Sequence, residues 1–279
     1  MTFLLAQLTD THVVGPDHDG DLYVDNNARL GLAVERLLAE SVPADAVVVT
    51  GDLTDFGSPE EMETVKELLA PIDAPVLAVP GNHDRRPTFR DTFDLPWADQ
   101  NNLSWVVDLG PVALVGLDTL VPNQINDDGT VDHRGLFDQA RAEWLDQALA
   151  ATAPKPTAIA MHHPPFITGI GWMDKSGLTN RQTFADVVSK HDHVNRIFCG
   201  HMHRPITTMV GGALTSTGIS TIQQVELNLA DSAPIQLICD PPGYQLHVFD
   251  NGAWISHVRH FDTGHPVIDP DWAADRSDQ

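Results

Sequence analysis

The sequence predicts an α/β fold, and three observations carry that prediction. Short β-branched and apolar runs alternate with segments of helical spacing from Leu4 to Cys199. Past Ile206 the helical spacing stops, and strand-like segments follow one another to Arg259. A content of 42% hydrophobic and 20% charged residues is that of an ordinary globular chain, not a disordered one.

Taken in order, Leu4 to Leu8 is a strand, and Asp25 to Glu40 is a helix with Leu30, Val34, Leu37 and Leu38 on one face. Ala46 to Thr50 is β-branched and reads as a buried strand. Ser58-Pro59-Glu60-Glu61 is a capping box with proline in the first turn, so a helix runs from there to about Ala70. Pro75 to Val79 is again a strand. Leu103 to Asp108 and Val112 to Leu117 form a hairpin around Gly110-Pro111. Phe137 to Ala150 and Thr183 to Lys190 are helical, while Thr157 to Met161 and Arg196 to Cys199 are strands. The later strands are Ile206 to Val210, Ile222 to Leu229, Ile235 to Cys239, Tyr244 to Phe249 and Trp254 to Arg259. The expected organisation is one domain over residues 1–265, with the β-rich portion 206–260 completing a second sheet, and a polar, acidic tail over 266–279.

The charge balance narrows the partners. With 39 acidic and 16 basic residues the net charge is −23, which repels nucleic-acid polymers and anionic membranes. No apolar run approaches the ~20 residues that cross a bilayer. The opening Met1 to Leu8 lacks a basic flank and is too short for a signal peptide. Cys199 and Cys239 alone make no disulfide framework, so the expected location is the cytoplasm. An anionic substrate would need local positive charge. Basic side chains are scarce and histidines number 14, so a bound metal is the natural source.

Five strands run directly into polar residues with metal-binding side chains: Asp10-Thr11-His12, Gly51-Asp52-Leu53-Thr54-Asp55, Gly81-Asn82-His83-Asp84, His162-His163-Pro164-Pro165 and Gly200-His201-Met202-His203. In α/β sheets the carboxyl ends of strands gather at one crevice. Imidazole and carboxylate suit Zn, Fe, Mn and Co. Two divalent ions and a bridging hydroxide, set against Asp10 and Asp52, leave the cage about singly positive, which suits a phosphodiester better than a dianionic monoester. Arg85, Arg86, Lys175, Arg181 or Arg204 could add to that charge.

The five blocks, in this order, resemble the calcineurin-like metallophosphoesterase superfamily. His162-His163-Pro164-Pro165 is similar to the bacterial branch of glycerophosphodiesterases and class III cyclic nucleotide phosphodiesterases. The resemblance implies a two-sheet β-sandwich flanked by helices and two divalent metal ions per chain. It implies that Asp10, His12 and His203 hold one ion, that Asn82, His162 and His201 hold the other, and that Asp52 bridges. Asn82, His83 and His203 would meet the substrate. His83 would stabilise the phosphoryl oxygens or protonate the leaving group, with Asp84 setting its orientation. The reaction implied is in-line attack of metal-activated hydroxide on a small phosphodiester, either a glycerophosphodiester or a 3′,5′-cyclic nucleotide. Rival readings are a phosphomonoesterase and a non-catalytic metal-binding scaffold of the same fold. A nuclease is disfavoured by the missing basic stripe.

Other residues have structural readings. His191-Asp192-His193 copies the spacing of the last block but follows a helix and has no glycine before it, so it reads as a solvated helix end. His18, His133, His247, His257, His260 and His265 read as surface or satisfied side chains, and Cys199 as a packed thiol. His163 points at substrate or packs behind the site. Phe56, Trp172 and Met173 line the pocket or its rim, and the loop from His163 to Asn180 walls the cleft. Unused strand edges after Ile206 suggest a homo-oligomer.

Overall fold

A computed structural model describes residues 2–15, 24–122, 131–230 and 233–261. The tail 266–279, His18 and His265 lie outside the described residues. The elements are β1 (Phe3–Leu8), α1 (Asn26–Leu38), β2 (Ala46–Val49), α2 (Pro59–Leu69), β3 (Val76–Ala78), α3 (Arg86–Thr92), β4 (Trp105–Asp108), β5 (Ala113–Leu117), α4 (Gln139–Thr152), β6 (Thr157–Met161), a 3₁₀ turn (Met173–Lys175), α5 (Arg181–Val188), β7 (Val194–Cys199), β8 (Thr207–Val210), β9 (Ala213–Thr217), β10 (Gln224–Val225), β11 (Leu237–Ile238), β12 (Gly243–Asp250) and β13 (Ala253–His260).

Two sheets face one another. One has the order β13-β12-β1-β2-β3 and the other β4-β5-β6-β7-β9-β8. The central strands β1-β2-β3 and β5-β6-β7-β9 are parallel, so both their faces need cover. Alternation along each strand supplies it. Phe3, Leu5, Val48 and Leu77 point between the sheets and meet Leu114, Ala158, Ala160 and Phe198. Ala6, Leu8, Val47 and Val49 point the other way, onto Leu30, Val34, Met62 and Val65 of α1 and α2. On the far side, Val115, Ile159 and Ile197 pack on Leu145, Leu149 and Phe184 of α4 and α5. The α/β sandwich flanked by helices is therefore the fold observed.

The caps explain where helices start. Asp25 accepts from the Ala28 N–H, Asp138 accepts from the Arg141 N–H, and Ser58 and Glu61 form the reciprocal capping box. Leu38, expected on the packed face of α1, is the helix's last residue and is 52% exposed, while Leu37 beside it is buried.

The β-rich segment divides. Strands β8 and β9 extend one sheet, β12 and β13 extend the other, and among the described residues β10 and β11 pair only with each other. The strands expected over Ile222–Leu229 and Ile235–Cys239 shrink to two residues each, with Leu227 and Leu229 exposed. A two-stranded ribbon without further neighbours sustains little ladder. Strand β9 and helix α3 were not foreseen. The first is Ser/Thr-rich and follows Gly211-Gly212; the second is seven residues long and buries only Phe89.

A polar seam also crosses the interior. Arg196 on β7 donates to Ser216 Oγ (2.6 Å) and Ser256 Oγ (3.2 Å). Ser256 bonds His247, and His247 bonds Gln7. Gln7 Nε2 donates to Thr50 Oγ1 (2.8 Å) and to the Cys199 carbonyl (3.0 Å). The seam thus ties together the carboxyl ends of β1, β2 and β7. Among the described residues no helix is long and apolar enough to cross a membrane.

Candidate functional site

The ends of β1, β2 and β7 carry an unusual backbone. Asp10, His12, Asp52, His201 and His203 all have φ between 42° and 71°, a region that L side chains seldom occupy. Strain of this kind persists only where the surroundings over-determine it. Here main-chain bonds do so: Asp10 N–H donates to the Gly51 carbonyl and His12 N–H to the Asp52 carbonyl, each at 3.0 Å. His201 N–H donates to both Asp10 carboxylate oxygens (3.0 and 3.1 Å), and His83 N–H to Asp52 Oδ1 (2.8 Å). Gly51 has φ +91°, and a Cβ there would lie 2.4 Å from His162 Nδ1, so glycine is what lets that ring sit beside the turn.

The side chains converge. His12 Nε2 faces His203 Nε2 at 3.2 Å, and His203 Nε2 lies 3.7 Å from Asp10 Oδ1. His162 Nε2 lies 3.0 Å from Asn82 Oδ1. Asp52 Oδ2 sits between the two groups, 3.2 Å from His162 Nε2 and 3.7 Å from His12 Nε2. His201 packs on His162, with ring centroids 5.1 Å apart. Three imidazoles spend their other nitrogen on an acceptor: His162 on the Thr50 carbonyl (2.8 Å), His203 on the Gln223 carbonyl (2.9 Å) and His12 on Asp55 Oδ1 (3.1 Å). That arrangement turns each Nε2 lone pair inward, as a metal ligand requires.

The donor set could hold metal ions. Ligand atoms bonded to one ion at about 2.1 Å stand roughly 3.0–3.4 Å from each other, close to the spacings above. Asp10, His12 and His203 form one cluster with ligand atoms mutually within 4.8 Å, and Asp10, Asp52 and His162 another. The buried carboxylates make this a place that favours positive charge, and His12 as well as His162 is pushed up against the opposing effect of burial. His162 is pushed up to about 9: burial opposes this, and Asp52 outweighs it. Asp52 lies well below the usual carboxylate range, because His162 and His83 outweigh its burial. His201 and His203 are both pushed down, chiefly by burial, and keep their lone pairs.

His83 and Asp84 occupy different places. His83 lines the cleft, its Nδ1 2.8 Å from the Asp55 carbonyl. Asp84 is buried off the cleft wall and accepts from Gly81 N–H, Leu53 N–H and Thr54 N–H and Oγ1. The partner fixing the His83 ring at Nδ1 is therefore Asp55, while Asp84 holds the two loops on which Asp52 and His83 stand. His163 is buried, bonded to Thr119 Oγ1 and the His133 carbonyl, and pushed down to about 3 by burial and His162.

Sequence reasoning missed His133. It lines the cleft, its Nδ1 is 2.9 Å from Asn82 Nδ2, and its ring lies 5.3 Å from that of His83. No strand end or glycine marks it, so nothing in the local pattern singled it out. The decoy pair is structural: His191 bonds Asp146 and His193 the Leu149 carbonyl. Of the expected pocket residues, Trp172 and Met173 line the cleft, with Ser176 from the same loop; Phe56 is 60% exposed and is not among the described lining residues.

The chain is similar to known proteins over most of its length. The chain is 31% identical over 247 residues to a probable glycerophosphodiester phosphodiesterase, GpdQ, of Arcobacter nitrofigilis, covering 88% of each. It is 27% identical over 250 residues to the 3′,5′-cyclic adenosine monophosphate phosphodiesterase CpdA of Pseudomonas aeruginosa, covering 89% of this chain and 86% of that one. A solved dimetal phosphatase from Danio rerio superposes with a TM-score of 0.68 at 17% identity, covering 92% of this chain and 96% of that one, a likeness of fold. The family model of the calcineurin-like phosphoesterases matches residues 3–205, which takes in all five blocks. The chain belongs to the calcineurin-like phosphoesterase family.

Proposed function

We propose that this chain is a dinuclear metal-dependent phosphodiesterase acting on small diesters, glycerophosphodiesters or 3′,5′-cyclic nucleotides. The observation that carries the reading is the Asp52 carboxylate between His12 and His162, with a donor group on either side. Asp10, His12 and His203 would hold one ion, Asn82, His162 and His201 the other, and Asp52 both. When bound, such a pair of ions would lower the pKa of bound water and neutralise charge on the phosphoryl oxygens. Fe, Mn, Zn and Co all suit these donors.

The chain's own residues do the rest. Asn82, His83 and His203 line the cleft where a phosphoryl group would sit. His83, held at Nδ1 by the Asp55 carbonyl, presents Nε2 to the leaving oxygen and supplies its proton. Asp84 keeps the loops of Asp52 and His83 in register. The side chains of Trp172, Met173 and Ser176 bring the loop from His163 to Asn180 onto the cleft, which supports its role as a wall.

The deciding measurement compares bis(p-nitrophenyl) phosphate with p-nitrophenyl phosphate at matched Mn²⁺ or Co²⁺. The diester is expected to turn over faster; a faster monoester would move the assignment to a phosphomonoesterase, and neither reacting would leave a scaffold. Two further proposals accompany this one. The cytoplasm suits the −23 charge and the free cysteines Cys199 and Cys239. Self-association through the edge strand β13, where Ile255 and Val258 are exposed, would be refuted by light scattering that finds only monomer at micromolar concentration.

A further inference from the structure

The cleft is about 400 Å³, room for more than a phosphoryl group, and its two ends differ. At one end four imidazoles succeed one another ring to ring, His203, His12, His83 and His133, with successive centroids 5.1, 4.6 and 5.3 Å apart. Asp52 and Asp55 lie beside them. The other end is apolar, made by Trp172, Met173, Val225, Ile235 and Leu237. Val225 and Leu237 face each other across the β10–β11 ribbon. Val225 and Met173 are backed by Ile170 and Met202 in a small core of their own.

The apolar end joins the imidazoles at His203 and His201. Ser176, three residues from Met173, places its Oγ 3.2 Å from His201 Nε2. The Gln223 carbonyl, two residues before Val225, bonds His203 Nδ1. His83 stands two rings away from His203. When His83 protonates one ester oxygen, the other arm stays on phosphorus.

We infer that this retained arm is an uncharged apolar or aromatic group seated against Trp172 and the β10–β11 ribbon. The inference rests on the phosphodiesterase reading and narrows it. Among the described residues lining the cleft there is no Lys or Arg, and its two carboxylates, Asp52 and Asp55, stand beside His12. A quaternary ammonium arm would find one indole and four apolar side chains, not an aromatic cage, and would lose its hydration there. A flat ring stacks on the indole and keeps the area it buries.

Three esters with one leaving group test this: phenyl, methyl and choline p-nitrophenyl phosphates, with the metal-loaded chain. The phenyl ester is expected to show a KM roughly tenfold or more below the methyl ester with kcat within about twofold, because the arm is bound equally before and during reaction. The choline ester should do no better than the methyl ester. Trp172→Ala should collapse the phenyl-to-methyl KM ratio toward one, and Leu237→Ser should do so in part; both side chains are about two-fifths exposed, so folding is spared. A binding readout accompanies these: phenyl phosphate should quench indole emission in the zinc-loaded chain but not in Trp172→Phe. Equal KM values for the three esters, or a choline preference, overturn the inference and leave the phosphodiesterase standing. No turnover of any ester overturns both.

Discussion

At the imidazole end of the cleft, Asp10, Asp52, His162 and His201 are buried, and the strand ends that carry them are held by main-chain bonds and a polar seam running back to Arg196. At the apolar end, Trp172, Ile235 and Leu237 are 42%, 36% and 43% exposed, and the ribbon beneath them has two residues per strand. The contrast follows from what each end must do. Like charges and neutral lone pairs have to be fixed before a cation arrives, or the ordering cost falls on binding. An apolar arm needs only area, and a thinly anchored wall supplies it while still letting substrate pass.

The largest effect should come from removing the carboxylate proposed to bridge the two donor groups. Asp52→Ala takes the carboxylate away from His12 and His162 together and also the acceptor of His83 N–H. Turnover of bis(p-nitrophenyl) phosphate should fall roughly a thousandfold or more, and elemental analysis should find fewer than two ions per chain. Leu229→Ser, 63% exposed and off the described cleft wall, should leave rate and metal content as they were. A near-normal rate in Asp52→Ala would refute the bridging role.

Next comes a pair of glycines with almost the same backbone. Gly51 at the end of β2 has φ +91°, and Gly212 at the turn between β8 and β9 has φ +90°. An alanine Cβ at position 51 would meet His162 Nδ1 at 2.4 Å and Gly81 Cα at 2.9 Å, whereas at position 212 none of the described residues lies within 4 Å. Gly212→Ala should therefore cost about 1 kcal/mol from backbone strain alone. Gly51→Ala should cost about 3 kcal/mol, since overpacking adds to it. Urea midpoints measure both, and equal shifts would mean the site is no more tightly packed than a surface turn.

What the sequence made legible follows the same division. The seven proposed ligands could be found because each follows a strand, and the carboxyl ends of parallel strands must meet. The helices could be found where caps and spacing agree, as at Ser58 and Asp25. The apolar wall was harder: Val225, Ile235 and Leu237 sit in what read as two ordinary strands, and only the missing sheet neighbours leave their side chains to the cleft. Strand β9 was illegible because Thr215, Ser216 and Thr217 are buried polar residues, which composition assigns to surface. His133 and the Asp55 carbonyl were hidden for a simpler reason: both act through a contact distant in sequence.

His133 gives the subtlest test of how firmly the imidazole end is held. Its Nδ1 accepts from the Asn82 amide, and this leaves Asn82 Oδ1 directed at His162 Nε2. His133→Phe keeps a ring in the gap beside His83 but removes that acceptor. The amide then has less to fix its orientation, so metal affinity at the Asn82 position should fall about tenfold, read by competition with a chelator. Added metal should restore most of the rate, because His83 and its Asp55 support are untouched. His133→Asn, whose Oδ1 stands where Nδ1 was, should recover part of the affinity. Equal affinities in wild type and the Phe variant would mean that Asn82 is oriented from elsewhere, and that His133 belongs to the cleft wall without steadying the cage behind it.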